Sequence, residues 1–359
     1  MSDTLRNPYV GKERRAFWRD AVSGRSIAVI TDLYRPKFEI DKNTRVATAG
    51  SCFAQHIAAN LRSRGFKVID TEPPPPGLIG DQARQRGYLL YSARYGNIYT
   101  VRHFLQLVRE SFGAPPGADG IWQKGGAYFD AFRPSIEPGG LRSPSEVIAH
   151  RHRHLAAVRT VVETMEVLVF TLGLTEAWED KVSGAGFPTA PGVIAGKYEA
   201  DRFLFRNYTH AEILGDFIAL REVIHAVNPR ARFILTVSPV PLAATASHNH
   251  VLTATTYSKS VLRAVAGELE VKFADVDYFP SYELIASPVS GGIYYDRDHR
   301  GVTPEGVKAA MSVFFARHDP GGRDACEDAE GSAEASHYRS AQNEIDGDDA
   351  ICEDALLDA

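Results

Sequence analysis

Cysteine is scarce in this sequence of 359 residues: Cys52, Cys326 and Cys352 are widely spaced and odd in number. They make no disulfide framework, and the pattern is the one expected of a reduced, cytoplasmic protein. Long apolar runs are absent as well. No uninterrupted stretch approaches the roughly 18 residues that a membrane span needs, so none is expected. The opening residues, Met1-Ser2-Asp3-Thr4-Leu5-Arg6, run into Lys12-Glu13-Arg14-Arg15 with no apolar segment, which does not read as a secretory signal. There is no internal repeat. His150-Arg151-His152-Arg153-His154 brings His150 and His154 to one helical face without a carboxylate partner, so we read a positively charged helix surface and assign no metal. No cofactor is expected either.

A strong charge is also missing from the body of the chain. The net charge is −5, but Asp319 to Ala359 holds thirteen acidic residues against two arginines, a net of −11, leaving the remainder at +6. That is too little basic charge, spread over too many residues, to suggest nucleic acid. The acidic tail lacks periodicity and, apart from Tyr338, aromatics, and should be disordered. At 44% hydrophobic and 24% charged, the rest is ordinary soluble globular material.

What the sequence does contain is organised around Val46 to His56. Thr44 to Ala49 is short and β-prone. From Phe53 to Arg64, Phe53, Ile57 and Leu61 recur every four residues on one helical face. Strand, tight turn and helix therefore put Ser51 at the turn, where free backbone N–H groups and the helix dipole favour a developing oxyanion. Gly50 suits a turn that no side chain may crowd. The plainer alternative is that Ser51 only caps the helix. Cys52 beside His56 offers a rival nucleophile, but it begins the helix and points away, and we read it as a small buried thiol.

Further along, Phe66 to Asp70 reads as a second strand, and Pro73-Pro74-Pro75-Pro76-Gly77 as a stiff loop. A helix begins near Thr100. Ala127 to Phe132 reads as a hairpin strand outside the main sheet, and Pro144 to Glu163 as a helix. Val167 to Leu172 is apolar throughout, as a strand covered on both faces requires. A helix from Thr209 to Val227, the strand Phe233 to Val237, a helix from Val251 to Glu268 and the strand Val271 to Ala274 follow. This alternation predicts a parallel sheet with helices on both faces, and a site outside the carboxyl ends of its strands. Ser51, Gly173 and Ser238 fall there together. Near the last helix, Tyr294-Tyr295-Asp296-Arg297-Asp298-His299 sets a carboxylate three residues before a histidine.

The string Gly50-Ser51-Cys52-Phe53-Ala54 spells the motif that names the GSCFA family, and the sequence resembles that family over roughly residues 40 to 318. Through it, and through the D-x-x-H segment, the chain resembles SGNH/GDSL-type hydrolases. Tyr95-Gly96-Asn97-Ile98-Tyr99-Thr100 is similar to the family's second motif, and Tyr257-Ser258-Lys259 to another of its segments. For Lys259 a solvated helix position is the default. The resemblance implies a three-layer α/β/α sandwich with a mainly parallel central sheet. Residues 1–42, mixed polar and aromatic without clean periodicity, read as an N-terminal arm on the main domain, leaving a catalytic domain (43–318) and the acidic tail (319–359). The resemblance further implies a triad of Ser51 as nucleophile, His299 as base and Asp296 as its orienting carboxylate. The oxyanion and substrate-binding candidates are the Ser51 N–H, Gly96, Asn97, Gly173, Thr175 and Glu176. SGNH esterases carry Gly-x-Asn where this chain has Gly173-Leu174-Thr175, so another residue must supply that amide. Asn97 as an Asx-turn, and Glu176 as a charge at a helix N-terminus, remain open alternatives. The implied activity is hydrolysis of a short acyl ester on a small molecule or glycan. An O-acyltransferase with the same triad and a non-catalytic carbohydrate-binding module stay open, and no oligomeric state is legible.

Overall fold

The computed structural model describes residues 7–23, 25–27, 30, 32–118 and 120–320. The acidic tail from residue 321 lies outside the described residues. In chain order, β1 (Val46–Gly50) leads into α1 (Phe53–Ser63), whose Phe53, Ile57 and Leu61 are buried as their spacing predicts. A short helix, α2 (Gly80–Gln85), follows the prolines. α3 (Val101–Ser111) is capped by Thr100, whose hydroxyl accepts the His103 N–H. The hairpin of β2 (Ile121–Lys124) and β3 (Ala127–Asp130) stands apart from the main sheet, as expected. α4 (Pro144–Thr164) starts on a Ser143 cap with proline in its first turn, where a missing N–H costs nothing. β4 (Val167–Leu172) is buried along its whole length. β5 (Glu176–Asp180), β6 (Gly186–Phe187) and β7 (Phe203–Asn207) form a separate antiparallel sheet. A capping box between Thr209 and Glu212 opens α5 (His210–Val227). The chain then forms β8 (Arg232–Val237), α6 (Val251–Lys272), β9 (Val276–Tyr278), α7 (Ser281–Ala286) and α8 (Pro304–His318).

The central sheet has the order β1-β4-β8-β9 and is parallel throughout. Alternate side chains feed opposite layers. Ala47, Ala49, Leu168, Phe170, Phe233 and Leu235 pack with apolar residues of α3, α4, α5 and α6. Val46, Val167, Val169 and Ile234 pack on the other face with α1, α7 and α8. This is the three-layer α/β/α sandwich. Tyr34 and Ile40 join the second layer. There the Ile40 N–H donates to His318 Nδ1 (3.3 Å), His318 Nε2 meets the Tyr34 hydroxyl (3.2 Å), and that hydroxyl donates to Asp277 (2.8 Å). The chain of bonds assigns the neutral imidazole with its proton on Nε2.

Two expected strands differ. Phe66–Asp70 supplies a single parallel bridge, Val68 to Val46, at the edge beyond β1. The chain then leaves the sheet, the Thr71 N–H turning to Ser92 O (3.0 Å) ahead of prolines that cannot donate to a ladder. Val271–Ala274 is not a strand. The inward stripe of Leu262, Val265, Ala266 and Leu269 carries α6 on to Lys272, and the last strand forms at Val276–Tyr278. The antiparallel sheet of β5, β6 and β7 had no counterpart in the expectations. Among the described residues no helix is long and apolar enough to cross a membrane.

Candidate active site

Ser51 follows β1 directly, and the turn that presents it depends on Gly50. Gly50 has φ +137°, and a Cβ there would lie 2.8 Å from Thr171 N and 2.9 Å from Thr171 Cβ, with Thr171 O closer still. Only glycine lets β1 lie this close to β4 while the chain turns. Ser51 is 2% exposed, and among the described residues its hydroxyl has no hydrogen-bond partner. Cys52, not Ser51, occupies the cap position of α1, and its side chain makes no capping hydrogen bond among the described residues. The Ser51 N–H, expected to face an oxyanion, is instead directed at Thr171 O (3.2 Å). Cys52 is buried, as expected, and among the described residues forms no disulfide. Burial of the His56 ring, with Arg84 nearby, depresses its pKa to about 4, so it remains a neutral base on α1.

The Gly96–Asn97 segment is fastened to the same end of β1, because the Ile98 N–H donates to Gly50 O (2.8 Å). Gly96 takes φ +68° and Asn97 is buried. Asn97 Oδ1 accepts from the Tyr91 hydroxyl (2.6 Å) and from Gln55 Nε2 (3.3 Å), and the Tyr91 hydroxyl also reaches Ser51 O (3.2 Å). This network fixes the Asn97 amide through its oxygen. A cleft bounded by Gln55, Arg84, Tyr91, Gly96, Asn97 and Ser135 borders the segment. Another cleft, of about 380 Å³ between Arg86, Glu137 and Arg142, includes none of the candidate residues.

Gly173 closes the other side. A Cβ on it would lie 3.0 Å from Ser51 Cβ and 3.0 Å from Tyr99 O. Its N–H and that of Leu174 both donate to Tyr99 O (3.2 and 2.9 Å), tying the turn after β4 to the segment carrying Asn97. Thr175 serves this turn and not the serine. Its N–H goes to Ser258 Oγ (3.0 Å) and its hydroxyl to Asn207 Oδ1 (2.6 Å). Glu176 begins β5 and is not at a helix N-terminus; its Oε1 accepts from the Thr245 hydroxyl (2.7 Å). Partial burial raises the Glu176 pKa despite the lowering effect of that hydrogen bond. Lys259 departs from the solvated default: it is 1% exposed, and its ammonium donates to Gly173 O (2.7 Å). Tyr91 and Gln55 are the neighbours that sequence reasoning missed, and Ser258 was singled out without a role. Gln55 was within reach of that reasoning, lying one helical turn beyond Ser51.

The D-x-x-H segment sits at the same end of the sheet. Tyr295 pairs with Val302, and its hydroxyl donates to Pro239 O (2.7 Å), just past β8. Within the loop the Asp296 N–H meets Gly301 O and the His299 N–H meets Asp296 O, each at 2.9 Å. Asp298 Oδ1 accepts the N–H groups of Arg300 (2.8 Å) and Gly301 (3.0 Å), which lower its pKa against the opposing effect of partial burial. Its carboxylate therefore has a local structural use, whereas that of Asp296 does not. His299 has φ +57° and its ring is exposed. The structure thus brings Ser51, Gly96, Asn97 and Gly173 together. It does not close the triad: among the described residues the Ser51 hydroxyl is unpartnered and neither the His299 ring nor the Asp296 carboxylate is hydrogen-bonded.

The His150–His154 stretch is not the charged surface expected of it. His154 is fully buried with Nδ1 2.6 Å from Glu72, and Arg151 pairs with Glu110, while Arg133 pairs with Asp130 (2.7 Å). These ions hold the β2–β3 hairpin region against α3 and α4. Among the described residues no group of three or more His, Cys, Asp or Glu is placed to hold a metal ion.

Fold and site together define an α/β/α protein with a buried serine at the carboxyl-end rim of a parallel sheet. The GSCFA family model matches residues 45–314, most of the chain, and the chain belongs to the GSCFA family. No curated protein and no solved structure matches it.

Proposed function

We propose that this GSCFA-family protein is a serine esterase of the SGNH type, cleaving a short acyl ester on a small-molecule or glycan substrate. The observation that carries the reading is the Ser51 hydroxyl, buried and without a partner among the described residues. A capping serine would accept a helix N–H, and this one accepts none. A buried polar group left unmatched costs free energy and calls for a use.

In the proposed reaction Ser51 Oγ attacks the ester carbonyl while His299 takes its proton. Asp296 orients the imidazole, since Asp298 is engaged by the Arg300 and Gly301 amides. The Gly96 N–H and the Asn97 amide NH2 receive the oxyanion in place of the Ser51 N–H. The imidazolium returns its proton to the leaving alcohol. Water, activated by the same imidazole, then releases the carboxylic acid and frees Ser51. Each turnover requires the 296–301 loop to bring the exposed imidazole onto the Ser51 hydroxyl. The test is turnover of 4-nitrophenyl acetate by the full-length chain and by Ser51→Ala and His299→Ala. Both variants should fall to background with folding intact. Undiminished turnover in Ser51→Ala would overturn the reading.

A further inference from the structure

We infer that the cleft of about 380 Å³ holds the sugar part of the ester substrate, a neutral glycan; the inference rests on the esterase reading. Gln85, Arg86, Glu137, Gly139, Arg142 and Glu146 are among its lining residues. Its volume falls within the roughly 300–1,000 Å³ of small-ligand sites. The cleft is joined to the serine through its neighbour. The smaller cleft beside Gly96 and Asn97 shares Gln85 with it, and the same two segments, 84–87 and 135–142, wall both. Tyr91 and Asn97 border the smaller cleft, and the Tyr91 hydroxyl touches both Asn97 Oδ1 (2.6 Å) and Ser51 O (3.2 Å). A short chain of sugars laid along these walls therefore runs from the rim at Ser51, past Gln85, into the larger cleft.

Arg94 fixes both walls. It is 4% exposed, and its guanidinium donates to Arg86 O (2.7 and 3.0 Å), Ile136 O (3.0 Å) and Glu137 Oε1 (2.7 Å). The cleft is thus fastened to a residue two positions before Gly96, a candidate oxyanion donor. A cleft already shaped spares the ligand the cost of ordering it.

The lining chemistry selects the occupant. Arg86, with its side chain 56% exposed, and the exposed Arg142 can only donate, whereas Glu137 and Glu146 can only accept. Glu146 is held by the Arg142 N–H (2.8 Å), and Glu137 lies 3.9 Å from the Arg86 guanidinium as well as on Arg94. Two positive charges against two negative ones give an anionic group such as phosphate no net attraction. Among the described lining residues none is aromatic and only Pro138 and Leu141 are apolar, so an alkyl alcohol finds little to pack on. Sugar hydroxyls, each a donor and an acceptor, bridge such arginine and glutamate pairs.

The experiment compares the full-length wild type with the Arg86→Ala/Arg142→Ala double variant and with Gly139→Trp, which fills the cleft from a position where nothing lies within 4 Å of an added Cβ. It measures kcat/KM for acetylated xylotriose, hexyl acetate and 4-nitrophenyl acetate, with circular dichroism for folding. The wild type should favour acetylated xylotriose over hexyl acetate by about 10-fold or more, and the double variant should lose on the order of 10- to 100-fold on the sugar ester alone. Gly139→Trp should show the same selective loss. A double variant undiminished on acetylated xylotriose overturns the inference. If the double variant does not fold, Gly139→Trp decides: selective loss supports the cleft, and an unchanged rate overturns it. Should neither fold, the wild-type preference decides, parity with hexyl acetate overturning the inference. A wild type that turns over none of the three esters removes the esterase reading and this inference together. One that cleaves 4-nitrophenyl acetate but does not favour the sugar ester removes the glycan cleft alone.

Discussion

Replacing Gly50 by alanine tests the turn on which the site is built. The backbone conformation, φ +137°, is one that a residue with a side chain adopts at a cost of about 1–3 kcal/mol. The added Cβ would also lie 2.8 Å from Thr171 N and 2.9 Å from Thr171 Cβ. Backbone atoms cannot swing aside as a side-chain tip can, so β1 and β4 must separate, an overpacking cost of about 1–3 kcal/mol. The Ser51 N–H bond to Thr171 O is strained by the same movement. Together the loss should be about 2–6 kcal/mol, a large part of the roughly 5–15 kcal/mol that keeps a domain folded. Gly65→Ala is the control: its φ is +78°, but nothing lies within 4 Å of the added Cβ. It should cost about 1 kcal/mol, the conformational part alone. Urea unfolding followed by circular dichroism measures both, and the midpoint should fall with little change in slope. A loss for Gly50→Ala no larger than that for Gly65→Ala would refute the close-approach argument.

Removing the Tyr91 hydroxyl as Tyr91→Phe leaves Asn97 Oδ1 without its shortest bond (2.6 Å), which should cost about 1–3 kcal/mol in unfolding and about 10-fold in turnover. An unchanged rate would take the network out of the site. Asp296→Asn should lower ester turnover by up to about four orders of magnitude, whereas Asp298→Asn should cost about 1 kcal/mol of stability or less and little rate. An active Asp296→Asn beside an inactive Asp298→Asn would reverse the assignment. Burial depresses the His318 pKa from 6.5 to about 4, so the folded protein refuses a proton that the unfolded chain accepts in this window. Its contribution is therefore complete above pH 6.5 and is lost as pH falls toward 4, by up to about 3 kcal/mol. The difference in unfolding free energy between wild type and His318→Gln should slope across that range; a flat difference contradicts the assignment.

Much of the architecture was legible because its signals are periodic. The four-residue spacing of Phe53, Ile57 and Leu61 and the unbroken apolar run Val167–Leu172 each specify an element and its buried face. Edges and ends were less legible. Phe66–Asp70 is β-prone yet makes one bridge, since pairing there depends on where the following prolines send the chain. Val271–Ala274 has strand-like composition, but the apolar stripe of α6 carries the helix through Lys272. Within the site, Ser51, Gly96, Asn97 and Gly173 were recognisable as residues following strands or preceding helices. The role of Thr175 in clamping its own turn was not, because its partners Asn207 and Ser258 are distant in sequence. Lys259 could have been read inward from its place beside the stripe of Ser258, Leu262 and Val265. Composition alone made it look solvated, whereas packing buries it.

The central claim is that Ser51 is a nucleophile served by His299. Its most direct measurement is the reaction of the full-length chain with a serine-directed fluorophosphonate, with the modified residue mapped by peptide mass spectrometry. One phosphonylated residue, Ser51, is expected, with labelling abolished in Ser51→Ala and slowed on the order of a thousand-fold or more in His299→Ala. Labelling that persists unchanged in Ser51→Ala, or that proceeds at the wild-type rate in His299→Ala, would contradict it.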